Sequence, residues 1–116
     1  MKLTILPLNL LKNNDYAFVE DMVATIKRFD LFDIIYDVTV IPLLGEDIYT
    51  GEEIITLNIF LTGNKKHKFT EYMAEGIECM AEKYNVNVAI HRISRLQRCE
   101  LQRDMIDPIL INTEVV

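Results

Sequence analysis

The chain has 116 residues, of which 50% are hydrophobic and 26% charged, and its formal net charge is −6. This length suits one domain with one hydrophobic core, and the near-average composition excludes disordered, collagen-like and repeat proteins. No apolar run approaches the roughly 18 to 20 residues of a membrane span and no export signal is recognisable, so neither membrane insertion nor export is expected. Two cysteines, Cys79 and Cys99, are too few for a disulfide framework, which favours a cytoplasmic protein.

The negative charge is concentrated in the N-terminal half. Residues 1–63 contain four Lys and Arg against ten Asp and Glu, whereas residues 64–116 contain eight of each. An acidic surface gains no counterion release when it approaches a phosphate backbone, which disfavours nucleic-acid binding by the whole surface. A local arginine-rich patch is the exception that the sequence leaves open.

The spacing of apolar residues predicts helices and strands in alternation. Apolar residues recur every third or fourth position where a helix is predicted and every second position where a strand is predicted. In chain order we predict a strand over 3–8, a helix over 14–29, a strand over 34–41, a strand over 55–61, a helix over 69–84 and a strand over 86–91.

The order β-α-β-β-α-β predicts an α+β domain over residues 1–116, whose ferredoxin-like antiparallel sheet carries the helices on one face. Residues 1–93 form the predicted core. Residues 94–116 form a C-terminal extension, in which Ser94 and Gln97 have the spacing of a helix start and residues 108–112 are a possible extra strand.

The sheet face opposite the helices is predicted to be mostly polar. We expect the C-terminal extension or a second subunit to cover it. Its single aromatic residue weakens the hypothesis of RNA binding, because such sheets stack bases on two or three aromatic rings. The residues predicted on this face are Thr4, Asp37, Thr39, Thr56, Asn58, Phe60 and Asn87.

We predict no catalytic residue, no cofactor and no metal site. The four glycines are never clustered as a phosphate-binding loop requires. His67, Cys79, His91 and Cys99 fall on different predicted elements, and we interpret them as two packed thiols and two ordinary imidazoles. An enzyme would need His91, Cys99 and a carboxylate to converge in one cleft.

An acidic segment between the second and third strands is the most distinctive surface feature. Hydrophobic anchors rimmed by carboxylates suit a basic groove on a partner protein, which predicts a docking loop. The alternatives are a hairpin tip that only contacts solvent and a calcium loop, although the segment lacks EF-hand spacing. The predicted partner-binding residues are Glu46, Asp47, Ile48, Tyr49, Glu52 and Glu53.

A second feature is the arginine-rich segment, which contains Arg92, Arg95, Arg98 and Arg103. Guanidinium groups on one helix face are able to hold phosphate or carboxylate, so the segment is a candidate anion-binding site or interface. The alternative is pairing with carboxylates of the acidic half, within the chain or across a dimer. Residues 65–68 add a second basic cluster at the start of a helix.

Two functional hypotheses follow, and an enzyme is a third and less favoured one. The leading one is a non-enzymatic protein-interaction module or inhibitor that acts as a homodimer through its acidic surface. One form of it is a viral or mobile-element accessory protein whose carboxylates replace phosphates on a nucleic-acid-handling machine. The alternative is a regulatory domain that senses an anionic small molecule at a dimer interface, where Arg92 or Arg95 would hold the ligand.

Overall fold

The computed structural model describes residues 1–5, 10–64 and 67–104, with side-chain surroundings up to residue 100. The predicted α+β class is confirmed, and so is the alternation of elements as far as the fourth strand. The predicted strand over 108–112 lies outside the described residues. The elements are β1 (Lys2–Ile5), α1 (Asn13–Phe29), β2 (Ile35–Glu46), β3 (Glu53–Gly63), α2 (Lys68–Tyr84), β4 (Asn87–Ile93) and α3 (Arg95–Asp104).

The four strands form one mixed sheet in the order β1-β2-β3-β4. β1 lies parallel to β2, β2 antiparallel to β3, and β3 parallel to β4. This corrects the predicted antiparallel ferredoxin-like arrangement. Both topologies share one element order, and strand neighbours are chosen by packing between distant parts of the chain. Here the long β2–β3 hairpin occupies the centre, and each helical crossover returns the chain beside the strand it left.

α1 and α2 cover one face of the sheet, as predicted. Their amphipathic stripes meet the alternate strand residues that point to this face, which removes apolar surface from water at about 25 cal/mol per Å². The resulting core consists of Ile5, Phe18, Val19, Met22, Ile26, Ile35, Val38, Val40, Leu57, Ile59, Leu61, Met73, Ile77 and Ala81.

Tyr84, at the end of α2, also joins the two helices. Its ring lies 6.0 Å from that of Phe18 in an edge-to-face arrangement, and its hydroxyl donates a 3.0 Å hydrogen bond to the Asp21 carboxylate. This hydrogen bond raises the pKa of Tyr84 above its ordinary value, with smaller contributions from desolvation and from the charge of Asp21.

α3 lies against the opposite face of the sheet. The Ser94 hydroxyl accepts from the Gln97 backbone N–H at 3.2 Å, and the Gln97 side chain accepts from the Ser94 N–H at 2.9 Å. This reciprocal pair is a capping box, so the predicted helix start is confirmed. The sheet therefore lies between two helices on one face and the described part of the C-terminal extension on the other.

The central hairpin is longer than the sequence predicts. β2 continues through Pro42 to Glu46, although a proline cannot donate to a strand ladder and is unusual in a central strand. β3 pairs with β2 along this whole stretch, from Pro42 opposite Leu57 to Glu46 opposite Glu53, whereas the described part of β1 pairs with β2 as far as Val40. The predicted end at Ile41 is corrected for this reason.

Candidate protein-interaction site

The end of the β2–β3 hairpin extends beyond the described parts of the two outer strands. Among the described residues, β1 pairs with β2 as far as Val40, and β4 begins opposite Thr56. In the described part of the chain, residues 41–46 and 53–55 therefore form a two-stranded ribbon beside which no other strand is paired. We call its end, residues 46–53, the acidic tip.

Hydrogen bonds to Asp47 define the conformation of the acidic tip. Its carboxylate accepts from the backbone N–H groups of Tyr49 and Thr50, at 2.8 and 3.3 Å. Its own N–H donates to the Glu52 carbonyl, and its carbonyl accepts from Gly51, both at 2.8 Å. Gly51 has a φ of +71°, which a residue with a side chain rarely adopts. The turn is therefore built by local contacts and needs no partner to form.

Two large hydrophobic side chains of the acidic tip point into solvent. Ile48 is 88% exposed and Tyr49 is 90% exposed. Glu46 and Glu53 stand directly opposite each other as the last pair of the β2–β3 ladder. Like charges in this position destabilise a hairpin by a few tenths of a kcal/mol, and a cation between them removes that cost. The structure thus places all the predicted partner-binding residues at one projecting end.

The arginine-rich segment is divided by the structure. Arg95 places its guanidinium 4.0 Å from the centre of the Tyr36 ring, and Arg98 forms an ion pair with Asp37 at 3.3 Å. Both contacts join α3 to the sheet, in agreement with the predicted alternative of pairing with the acidic half of the chain. An anion at this position would compete with Asp37 for Arg98.

Arg92 belongs to the other side of the sheet. It precedes α3 on β4, and its guanidinium lies 3.5 Å from the Thr70 hydroxyl at the start of α2. Only the backbone of Arg103, in the last turn of α3, is described. The structure therefore does not bring Arg92 together with Arg95 and Arg98 as one anion site.

The sheet face opposite α1 and α2 contains polar groups that are removed from solvent. The hydroxyl groups of Thr4, Thr39 and Thr62 are buried and have no hydrogen-bond partner in the described part of the chain. One carboxylate oxygen of Asp37 is also buried and has no hydrogen-bond partner in the described part of the chain. Each such group costs about 1 to 3 kcal/mol in desolvation, which opposes the burial of this face.

Further along the same face, Phe60 and His91 stack with ring centres 4.7 Å apart. His91 Nε2 lies 3.3 Å from the Asn58 side-chain oxygen. His91 therefore adds a second ring beside Phe60, which sequence analysis treated as the only aromatic residue on this face. The sequence contained a signal for this second ring, since His91 alternates along β4 with the residues that face the core.

The cysteines are not packed as the sequence predicts. Cys79 and Cys99 are both exposed, because each lies on the outward side of its helix rather than within the apolar stripe. Among the residues that the structure describes, no group of three His, Cys, Asp or Glu side chains is placed to hold a metal ion.

A groove between α1 and α2 is the main surface feature that sequence analysis missed. It is almost wholly apolar and has a volume of about 310 Å³. A signal for it existed in residues 29–32, where three of four side chains are apolar but lie beyond the helical stripe. We call it the helix groove, and it is lined by Thr25, Phe29, Phe69, Tyr72, Met73 and Gly76.

Comparisons with known proteins give no relative from which a function can be transferred. No family model, curated protein or solved structure matches the chain at a significant level. None of the helices in the described ranges has both the length and the hydrophobicity needed to cross a bilayer.

Proposed function

We propose that the protein is a protein-binding module that docks its acidic tip onto a basic, grooved surface of a partner protein. One observation carries the proposal: Ile48 and Tyr49 are almost fully exposed at a projecting turn surrounded by four carboxylates. Exposed hydrophobic side chains in a polar rim resemble the centre and border of a protein interface.

The energetics favour these residues as anchors. Burial of one tyrosine removes about 150 to 250 Å² from water, a gross gain of roughly 4 to 6 kcal/mol before the entropic cost of association. The turn is already formed by the hydrogen bonds of Asp47, so little ordering is needed on binding. The carboxylates contribute mainly to the rate of association and to the choice of a basic partner.

Capture of partners from a cell lysate tests the proposal. We expect a Tyr49→Ser variant and a triple Glu46→Gln, Glu52→Gln, Glu53→Gln variant to lose the main captured protein. Asp47 stays unchanged, because its side chain builds the turn. The matched control is a triple Glu71→Gln, Glu78→Gln, Glu82→Gln variant on the exposed surface of α2, which changes the net charge equally.

The control should capture the same protein as the wild type, and circular dichroism should show that all variants remain folded. Added heparin, a polyanion, should compete if the tip occupies a surface that otherwise binds nucleic acid, which is the inhibitor form of the proposal. Equal capture by wild type and both tip variants would refute the docking role.

A further inference from the structure

The helix groove is open to solvent, and the turn that follows its lining residue Phe29 exposes more hydrophobic side chains. Leu31 and Phe32, in the turn after α1, are 80% and 84% exposed. Phe29 and Tyr72, which line the groove, are also exposed. Several large hydrophobic side chains exposed in one region are more typical of an interaction site than of the rest of a protein surface.

The groove has room for an inserted side chain and a cation at one border. Gly76 is one of its lining residues, and a Cβ added there would meet no atom within 4 Å. The Arg28 guanidinium lies 5.5 Å from the centre of the Phe29 ring, which also lines the groove. Glu75 is the nearest acid on the outer side of α2 by helical spacing. The α1 side of the groove thus carries a positive charge beside an apolar lining.

The helix groove and the acidic tip lie at opposite ends of the fold. α1 begins near the tip, since Lys12, Asn14 and Glu53 line one surface depression. α1 ends at Phe29, beside the start of β2. β2 has 12 residues and spans about 40 Å at about 3.3 Å per residue. One molecule therefore cannot place its own tip in its own groove.

We propose that the acidic tip of one molecule docks into the helix groove of a second copy of the same chain. This rests on the proposed function, since it names the partner of the same tip. In this contact Tyr49 and Ile48 enter an apolar groove of about 310 Å³, and the carboxylates around them lie toward Arg28, beside the Phe29 ring. An apolar anchor with an acidic rim thus meets an apolar groove with a guanidinium at its edge.

This contact is heterologous, because the two molecules contribute different surfaces. Each added molecule leaves one free tip and one free groove, so association continues into a ring or an open chain rather than stopping at a two-fold dimer. Its small area places it in the weak class of interfaces, below about 1,200 Å². Self-association should therefore rise with protein concentration and weaken as salt screens the charges.

Sedimentation velocity on the full chain over a range of concentrations tests the proposal with two variants. Tyr49→Ser removes the anchor of the tip but leaves the groove. Gly76→Glu fills the groove and repels the carboxylates but leaves the tip. Cys79→Glu adds the same charge to the exposed surface of α2 outside the groove lining, and is the control.

We expect the wild type and the control to increase in average mass with concentration. Each variant alone should stay at 13.5 kDa, with association weakened at least tenfold. An equimolar mixture of the two variants should form a complex of two chains and nothing larger, because one intact tip then meets one intact groove. Circular dichroism checks that each variant is folded.

Three results would overturn the inference: a wild type that stays monomeric up to about 1 mM, a single variant that still associates, or a mixture that does not. Loss of lysate capture by Tyr49→Ser beside a monomeric wild type would leave the proposed function standing and remove only the partner assigned here. Self-association abolished by Tyr49→Ser with unchanged lysate capture would instead support the contact between two copies and refute docking of the tip to the captured protein.

Discussion

The ion pair between Arg98 and Asp37 should decide whether α3 stays on the sheet. The Nε and Oδ2 atoms are 3.3 Å apart, and the side chains are only 12% and 17% exposed. At an effective dielectric constant of about 20, this separation gives a gross attraction of about 5 kcal/mol. Desolvation and the ordering of two side chains offset most of it.

We therefore expect a coupling free energy of about 1 to 2 kcal/mol, above the roughly 0.2 to 1 kcal/mol of fully exposed pairs. Arg98→Ala alone should lower the free energy of unfolding by about 2 kcal/mol, because it leaves a partly buried carboxylate whose other oxygen already lacks a hydrogen bond in the described part of the chain. The free energy with which α3 docks on the sheet sets an upper limit to this loss.

A double-mutant cycle in urea with Arg98→Ala, Asp37→Ala and the double variant measures the coupling. Amide hydrogen exchange supplies a local measurement: exchange in α3 should accelerate in Arg98→Ala while the central strands stay protected. Lys27→Ala, on the exposed surface of α1, is the control and should change stability by less than about 0.5 kcal/mol. A coupling below about 0.5 kcal/mol with unchanged exchange in α3 would refute the reasoning, since other contacts would then hold the helix.

Two further predictions concern the stability of the fold. Gly63→Ala should lower the free energy of unfolding by about 1 to 3 kcal/mol, because the added Cβ would overlap the Ile34 carbonyl oxygen; a urea midpoint equal to that of the wild type would contradict this. The hydrogen bond from Tyr84 to Asp21 raises the tyrosine pKa above 10.0, so its stabilisation is complete below about pH 10 and is lost as the pH rises through the folded-state pKa. Urea denaturation from about pH 9 to about pH 11 should show this loss in the wild type and not in Tyr84→Phe, and parallel profiles would be evidence against it.

The acidic tip could be located from the sequence because its determinants are local. Glycine at a turn position, clustered carboxylates and two hydrophobic residues without a periodic partner all lie within residues 45–53. The sequence predicts the pairing of arginines with the acidic half only as an alternative, because charge composition does not indicate which arginine contacts which carboxylate. The choice of Asp37 for Arg98 follows from the position of α3 against the sheet, which no local pattern encodes.

The sequence by itself determined the α+β class, the order of the elements and the amphipathic faces of α1 and α2, because hydrophobic period and capping act within a few residues. Tertiary structure alone decided the mixed sheet in the order β1-β2-β3-β4 and the continuation of β2 through Pro42. It also created the helix groove, which needs Phe29 and Phe69 side by side although 40 positions separate them in the chain. Strand neighbours and grooves depend on packing between such distant residues, and packing is settled only when the whole core forms.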